Sequence, residues 1–197
     1  MDEACLRGWL VELASQAWRR PVTVSEVEAL ERLFIELTAS TEATLAARAV
    51  LVAVLLSPDF AYLIEQGEPG EPLSAHELAA RLSFFLTDGP PDAELQQQAD
   101  DGGILQDDVL EAQALRLLES RDGQAAMTAW FGDLLDLDAI ETVEKSSALY
   151  PEDSPALREA MAAELVALWE EAAAGELAAL LTSEAALVDE ELAALYG

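Results

Sequence analysis

The sequence predicts an all-α protein, an irregular multi-helix bundle of about nine helices with no sheet. Alanine and leucine are abundant and β-branched residues are few, a composition that favours helix. Apolar residues recur at three- and four-residue spacing, and capping patterns precede most of these segments. Val22-Thr23-Val24 is the only run with strand-like composition, so we expect no sheet.

The N-terminal part is predicted to hold four helices. Thr23 and Glu26 have the spacing of a capping box, in which two side chains satisfy the free amides at a helix start. The near-continuous apolar run from Ala49 to Leu56 predicts a helix that is buried on most sides and runs through the core. If the run is counted from Ala46, it is interrupted by Arg48. It is also far shorter than the roughly 20 residues that a membrane-spanning helix needs, so we do not expect it to cross a membrane. The predicted helices cover residues 3–18, Thr23 to about Leu37, Ser40 or Thr41 to Leu56, and a short segment from Pro58.

The stretch from Leu73 to Leu95 is predicted to be the centre of the fold. Ser74 and Glu77 form a second capping box, so a helix begins at Ser74. Asp88-Gly89-Pro90-Pro91 ends this helix because the prolines remove two backbone donors, and Pro91 or Asp92 opens the next one. The predicted buried face consists of Leu78, Ala79, Leu82, Phe84, Phe85 and Leu86 with the stem of Arg81.

Further helices are predicted along the rest of the chain. The longest begins at Ser154-Pro155, with proline in its first position, and ends at Gly175, where a left-handed cap is expected. An acidic, irregular connector precedes it. The other predicted elements are a helix over Asp92–Ala99, a helix from Asp107 or Asp108 with Val109, Ala112, Leu115 and Leu118 inward, a helix over 122–135, and two short helices after Glu176.

A turn-rich segment from Gln66 to Pro72 divides the chain into two predicted parts. Residues 1–66 are predicted to form an N-terminal helical subdomain, and residues 73–197 a main helical bundle packed on it. One continuous core over both parts is the alternative.

The formal net charge is −29, from 39 acids against nine arginines and the single lysine, Lys145. We expect a broadly negative surface, which does not suit nucleic acid as a partner. The simplest explanation of this charge is solubility in a salty or extracytoplasmic setting. The first ten residues lack the basic region that precedes the apolar core of a signal peptide, so we expect a cytoplasmic protein or a trimmed chain.

The sequence assembles no catalytic set, cofactor site or metal site. Cys5 is the only cysteine, so the chain has no internal disulfide, no thiolate zinc cluster and no paired-cysteine haem attachment. His76, the only histidine, is predicted to be exposed in the first turn of its helix. An acidic loop from Asp133 has leucines at its third and fifth positions and therefore fails as a calcium loop. Asp100-Asp101-Gly102-Gly103 with Asp107-Asp108 is another candidate for calcium, and our first interpretation of it is a turn and a helix cap.

Three residues are candidates for a structural role or for contact with a ligand, namely Glu77, Arg81 and Arg20. Glu77 and Arg81 lie four residues apart on one helix, in the favourable order for an ion pair. Arg20 and its neighbour Arg19 stand just before Pro21, where both are predicted to cap helix carbonyls, with binding of an anion as the alternative. A structural role is our first interpretation for all three, and ligand contact is the alternative.

Several segments match a known family in the order in which the family has them. The matching segments are Ala17 to Thr23, Leu55 to Tyr62 with Glu65, Glu77 to Leu86, Pro91 to Leu95, Arg116 to Leu118, Phe131, Tyr150-Pro151, the helix with Glu164, and Leu192 to Gly197. On these segments the chain resembles an uncharacterised, mostly helical family of planctomycete and myxobacterial multidomain proteins. In that family, tandem domains of unknown function stand beside a planctomycete-type cytochrome c module. Thr87 and Leu63 depart from the tryptophan and arginine that are usual there.

The resemblance implies a helical fold and an exported, cytochrome-associated parent protein, and it transfers no catalytic residue. Haem, where present, is expected in an associated module and not in this chain. The first hypothesis is a non-catalytic scaffold or interaction module whose partner is another protein or a neighbouring domain. The alternative is part of an extracytoplasmic redox or carbohydrate-active enzyme whose cofactor or catalytic residues lie in other modules. A stand-alone acidic protein from a salt-rich environment is a third hypothesis.

Overall fold

A computed structural model describes residues 2–65, 70, 72–183, 186 and 188–196. Over these residues the chain forms twelve α-helices, one short 3-10 helix at Gly103–Leu105, and no strand. The all-α prediction is confirmed, and the helix count differs slightly from the predicted one. The stretch predicted to be an irregular connector before Ser154 contains a six-residue helix, Leu137–Thr142. The helices are α1 Glu3–Trp18, α2 Val24–Thr38, α3 Ala43–Leu55, α4 Pro58–Ala61, α5 Ala75–Thr87, α6 Ala93–Asp100, α7 Asp107–Glu119, α8 Arg121–Leu135, α9 Leu137–Thr142, α10 Pro155–Ala174, α11 Ala179–Thr182 and α12 Glu190–Tyr196.

The chain packs as two compact units, Met1–Glu119 and Ser120–Gly197. In the first unit, α1, α2 and α3 enclose one core, in which Leu10 and Val50 are fully buried and Trp9 meets Phe34 edge-on with ring centroids 6.5 Å apart. Helices α5, α6 and α7 and the 3-10 helix enclose another, formed by Ala79, Leu86, Leu95, Ala99, Ile104 and Leu117. The division into residues 1–66 and 73–197, which was placed at the turn-rich segment between them, stays a prediction.

Both predicted capping boxes form as the sequence indicates. The Thr23 hydroxyl accepts from the Glu26 amide while the Glu26 carboxylate accepts from the Thr23 amide, and Ser74 and Glu77 repeat this arrangement at the start of α5. Helix α3 begins differently. Thr41 was predicted to cap α3, but its hydroxyl donates to the carbonyl oxygen of Leu37 near the end of α2. The residue that directly precedes α3 is Glu42, and its side chain makes no capping hydrogen bond.

The prediction that α3 is buried on most sides is wrong. Only Ala46, Val50 and Val54 are buried, because α3 packs against α1 and α2 along this one side. Ala47 also packs against that core, whereas Val52 at 53% exposure, and Leu56 at 77% just after the helix, face away from it. A long and continuous apolar run therefore predicted more burial for this helix than the structure shows.

Three further predictions about faces and caps are wrong. Phe85 is 76% exposed, because α5 turns Ala79, Ser83 and Leu86 toward its core instead. In α7, Leu118 packs against the core as predicted, but Ala112 and Leu115 are exposed and the buried residues are Gln113 and Leu117. Gly175 ends α10 with φ −125°, so no left-handed cap forms there.

The second unit is built around α10, the longest helix, at 20 residues. As predicted, Ser154 caps it and Pro155 occupies its first turn. Trp169 is buried and stacks on Phe131 of α8 with ring centroids 4.7 Å apart, and Leu157, Ala160 and Leu192 form a small cluster. Neither α10 nor any other helix in the described part of the chain is long and apolar enough to cross a lipid bilayer.

Candidate functional site

A buried arginine joins the end of α1 to α4. Arg19 follows α1 in the left-handed conformation, with φ 57°. Its guanidinium donates hydrogen bonds to the carbonyl oxygens of Ala17 at 3.2 Å, Asp59 at 2.6 Å and Tyr62 at 3.0 Å. It also lies over the ring of Phe84 in α5, 5.5 Å from the ring centroid. Burial lowers the pKa of Arg19, and the nearby Asp59 opposes that shift. The bond to Asp59 satisfies a carbonyl at the end of the short helix α4, and the other two bonds tie the end of α1 to the residue after α4.

Next to Arg19, the side chain of Arg20 binds the carboxylates of two residues. Its guanidinium donates to both carboxylate oxygens of Glu26, at 2.7 and 3.1 Å, and to Asp59 Oδ1 at 2.7 Å. The hydrogen bond from Arg20 lowers the pKa of Glu26 to about 2, and the bond to Glu26 is the main cause that raises the pKa of Arg20. The guanidinium also lies 5.5 Å from the ring centroid of Trp18. Arg20 therefore connects the end of α1 with the start of α2 and with α4.

A cleft of about 250 Å³ opens beside these arginines, within the first compact unit. Its walls come from the end of α1, from α4 and the residues after it, and from the first two turns of α5. All three candidates singled out from the sequence, Arg20, Glu77 and Arg81, line it. Its lining residues are Trp18, Arg19, Arg20, Asp59, Tyr62, Leu63, Ile64, Glu65, Ser74, His76, Glu77, Ala80 and Arg81.

The charged side chains of this cleft have partners within the chain. Arg81 donates to Glu65 Oε1 at 3.2 Å, and the Glu77 carboxylate accepts from the Ser74 amide at 2.8 Å. The Arg81 side chain is 63% exposed, so solvent screens its pair strongly. The sequence did not predict Glu65 as the partner, since it lies 16 residues before Arg81 and outside the helix.

His76 also lines the cleft, and it is less exposed than the sequence predicted. Its Nε2 atom lies 2.8 Å from Asp100 Oδ1, and its side chain is 20% exposed. The hydrogen bond from His76 lowers the pKa of Asp100. Among the described residues, no three histidine, cysteine or acidic side chains are grouped so that they could hold a metal ion. A c-type haem needs two cysteines and a histidine in one motif, and Cys5 and His76 do not fit that requirement.

A second surface of interest lies on α3, and sequence reasoning missed it. Leu45, Leu51, Val52, Leu55 and Leu56 are between 39% and 77% exposed, and with Arg48 they form what we term the α3 face. Among the helices of eight or more residues in the described part of the chain, α3 alone contains no acid. In a chain with 39 acids, the absence of acid from an exposed helix was the signal that could have identified this face.

Two protein families match the chain, and each covers one of the two segments that line the cleft. The family described as "PSD5: Protein of unknown function (DUF1595)" matches residues 5–65, and "PSD4: Protein of unknown function (DUF1592)" matches residues 73–197. The chain belongs to the DUF1592 family. The expected resemblance to an uncharacterised family is thereby confirmed, while the cytochrome association and the range of source organisms stay predictions. No curated protein and no solved structure is significantly similar to the chain.

In this DUF1592 protein the cleft lies where the two matched segments meet. Arg19, Arg20 and Asp59 come from the DUF1595 segment, whereas His76 and Arg81 come from the DUF1592 segment. The contact of Arg19 with Phe84 and the pair of Glu65 with Arg81 join the two segments. Since both families are described as of unknown function, they assign no role to any of these residues.

Proposed function

We propose that this DUF1592 chain is a non-catalytic interaction module of an exported, cytochrome-associated multidomain protein. Its partner is another protein or a neighbouring domain of a longer chain. The α3 face is the observation that carries the proposal, because exposed apolar clusters of this kind mark contact surfaces. The exported and cytochrome-associated setting rests on the family resemblance of the sequence segments alone.

The cleft supports a structural role for its charged residues. Arg19 is engaged by backbone carbonyls, Arg20 by Glu26 and Asp59, and Arg81 by Glu65. A catalytic or ligand-binding arginine needs donors that are free for a substrate, and in Arg19 and Arg20 both terminal nitrogens already donate to atoms of this chain. The same bonds hold α1, α4 and α5 in place, which a scaffold requires.

Site-specific photo-crosslinking in cells that produce the protein tests the proposal. A photoreactive residue at Val52, on the α3 face, is compared with one at Ile35, a 60% exposed residue of α2 in the same unit. We expect one dominant protein partner at position 52 and none at 35. With that partner purified, Val52→Glu should weaken binding about tenfold or more, and Ile35→Glu should leave it within about twofold. Equal labelling at both positions, or none at 52, contradicts the proposal.

One observation favours the enzyme alternative, in which this chain is part of a redox or carbohydrate-active enzyme. The cleft is ringed by Arg81 and Glu77 together with the aromatic side chains of Trp18 and Tyr62, a combination that suits small polar ligands. A thermal-shift titration against divalent metals, haem and oligosaccharides, in low and high salt, separates the two functions. A ligand-specific rise in midpoint that survives salt supports the enzyme alternative, because only native-state binding stabilises in this way. The interaction module predicts no such rise.

A further inference from the structure

We propose that the α3 face receives an amphipathic helix of a partner protein, and that this helix places a carboxylate opposite Arg48. The inference rests on the proposed function and adds the chemistry of the partner.

The shape of the face matches a helix. Leu45, Arg48, Val52 and Leu55 follow one another at spacings of three and four residues, so they form one stripe along α3. From Leu45 to Leu56 this stripe is about 17 Å long at 1.5 Å per residue, the length of three helical turns. A helix laid along such a stripe buries apolar side chains in the ridge-and-groove manner of packed helices.

Arg48 determines what the partner helix must carry. It is exposed, and none of the described residues offers it a carboxylate within 4.0 Å. Because Leu45 precedes Arg48 on the apolar stripe and Val52 and Leu55 follow it, any helix that covers the whole stripe also covers the guanidinium. Covering a charge without a partner is strongly unfavourable, whereas a carboxylate forms a charge-assisted pair with it. The complementary partner therefore presents an apolar stripe that contains one acidic residue.

A second copy of the chain fits this requirement poorly. Packing α3 against α3 brings two Arg48 side chains to the same interface, and α3 has no acid to pair with either of them. Each copy also carries a formal net charge of −29, which opposes association. The charge pattern thus favours a different polypeptide.

Binding of synthetic helices to the whole chain tests the inference. The probes are fluorescent, alanine-rich peptides of about 15 residues with leucines at three- and four-residue spacing and Glu, Gln or Lys at the centre of that stripe. Anisotropy is measured at ~0.15 M and ~0.5 M NaCl, since the higher salt screens long-range repulsion from the chain. We expect the Glu peptide to bind about tenfold more tightly than the Gln peptide, and Arg48→Glu to shift the preference to the Lys peptide.

The variants separate the inference from the proposed function. Val52→Glu should weaken binding of all three peptides, and the matched change Ile35→Glu should weaken none, with unchanged circular dichroism for every variant. Val52→Glu can weaken peptide binding while the Arg48→Glu variant still prefers the Glu peptide. In that case the inference is wrong, and the α3 face remains a contact surface. If no peptide binds, the inference is wrong and the photo-crosslinking at position 52 decides the proposed function separately. A dimer in sedimentation that Val52→Glu dissociates makes a second copy the occupant and also overturns the inference.

Discussion

At the scale of one residue, the carboxylate of Glu26 takes part in two stabilising interactions. It closes the capping box of α2 and pairs with Arg20, and its pKa is about 2 against an ordinary value of 4.5. A depressed folded-state pKa means that the stabilisation is complete above about pH 4.5 and is lost as the pH falls toward 2. Since its side chain is 28% exposed, screening reduces this contribution to about 1–2 kcal/mol.

Glu26→Gln tests this prediction, because glutamine keeps the capping box and removes only the ion pair. We expect Glu26→Gln to lower the free energy of unfolding by about 1–2 kcal/mol at pH 7, with the difference vanishing as the pH approaches 2. Urea unfolding across this pH range measures it. Glu28→Gln, an exposed change on the same helix, controls for the lost charge and should stay within about 0.5 kcal/mol. A difference that does not depend on pH would assign the effect of Glu26 to something other than its charge.

At the scale of helices, Asp92 joins a cap to a contact between two helices. Its Oδ1 accepts from the Leu95 amide at 2.9 Å at the start of α6, and both its oxygens accept from Arg116 of α7, at 2.7 and 3.0 Å. Asp92→Ala removes both functions and should cost about 1.5–3 kcal/mol, while Asp92→Asn keeps the cap and should cost about half of that. Urea unfolding of both variants beside Glu28→Gln measures this. Equal losses for the two variants would mean that the cap contributes nothing.

The helices also show which parts of the fold could be predicted from sequence. Capping is local, so Thr23 with Glu26 and Ser74 with Glu77 were enough to place two helix starts correctly. The buried side of a helix depends on which other helices pack against it, and hydrophobicity alone does not contain that information. For this reason the apolar run of α3 was predicted to be covered, although its outer side is exposed.

The candidate site was predictable only in part, for a similar reason. Arg20, Glu77 and Arg81 were identified because charges beside a proline or at helical spacing are visible in the sequence. The bonds of Arg19 to Asp59 and Tyr62 span 40 and 43 residues and that of His76 to Asp100 spans 24, so these partners depend on the tertiary fold. The sequence therefore predicts which residues matter better than it predicts what they contact.

At the scale of the whole molecule, the net charge of −29 makes a prediction about salt. Two effects compete, since added salt screens both the repulsion among 39 acids and the attraction within ion pairs. The ion pairs of Arg20 are only 2.7 Å long and partly buried, so salt weakens them little. Repulsion acts over longer distances, and the screening length falls from about 30 Å at 0.01 M salt to about 10 Å at 0.1 M.

Salt should therefore weaken the repulsion more than it weakens the ion pairs, and NaCl should raise the midpoint of thermal unfolding. Each 1 kcal/mol of relieved repulsion is worth about 2–4 °C in a chain of this size. Scanning calorimetry from ~0.01 to ~0.5 M NaCl measures the change, with sodium sulfate at equal ionic strength as the comparison. A rise with both salts identifies screening, whereas a rise with sulfate alone identifies exclusion of that anion from the protein surface. A midpoint that falls with NaCl would mean that the ion pairs outweigh the repulsion, and the acidic composition would then need an explanation other than adaptation to salt.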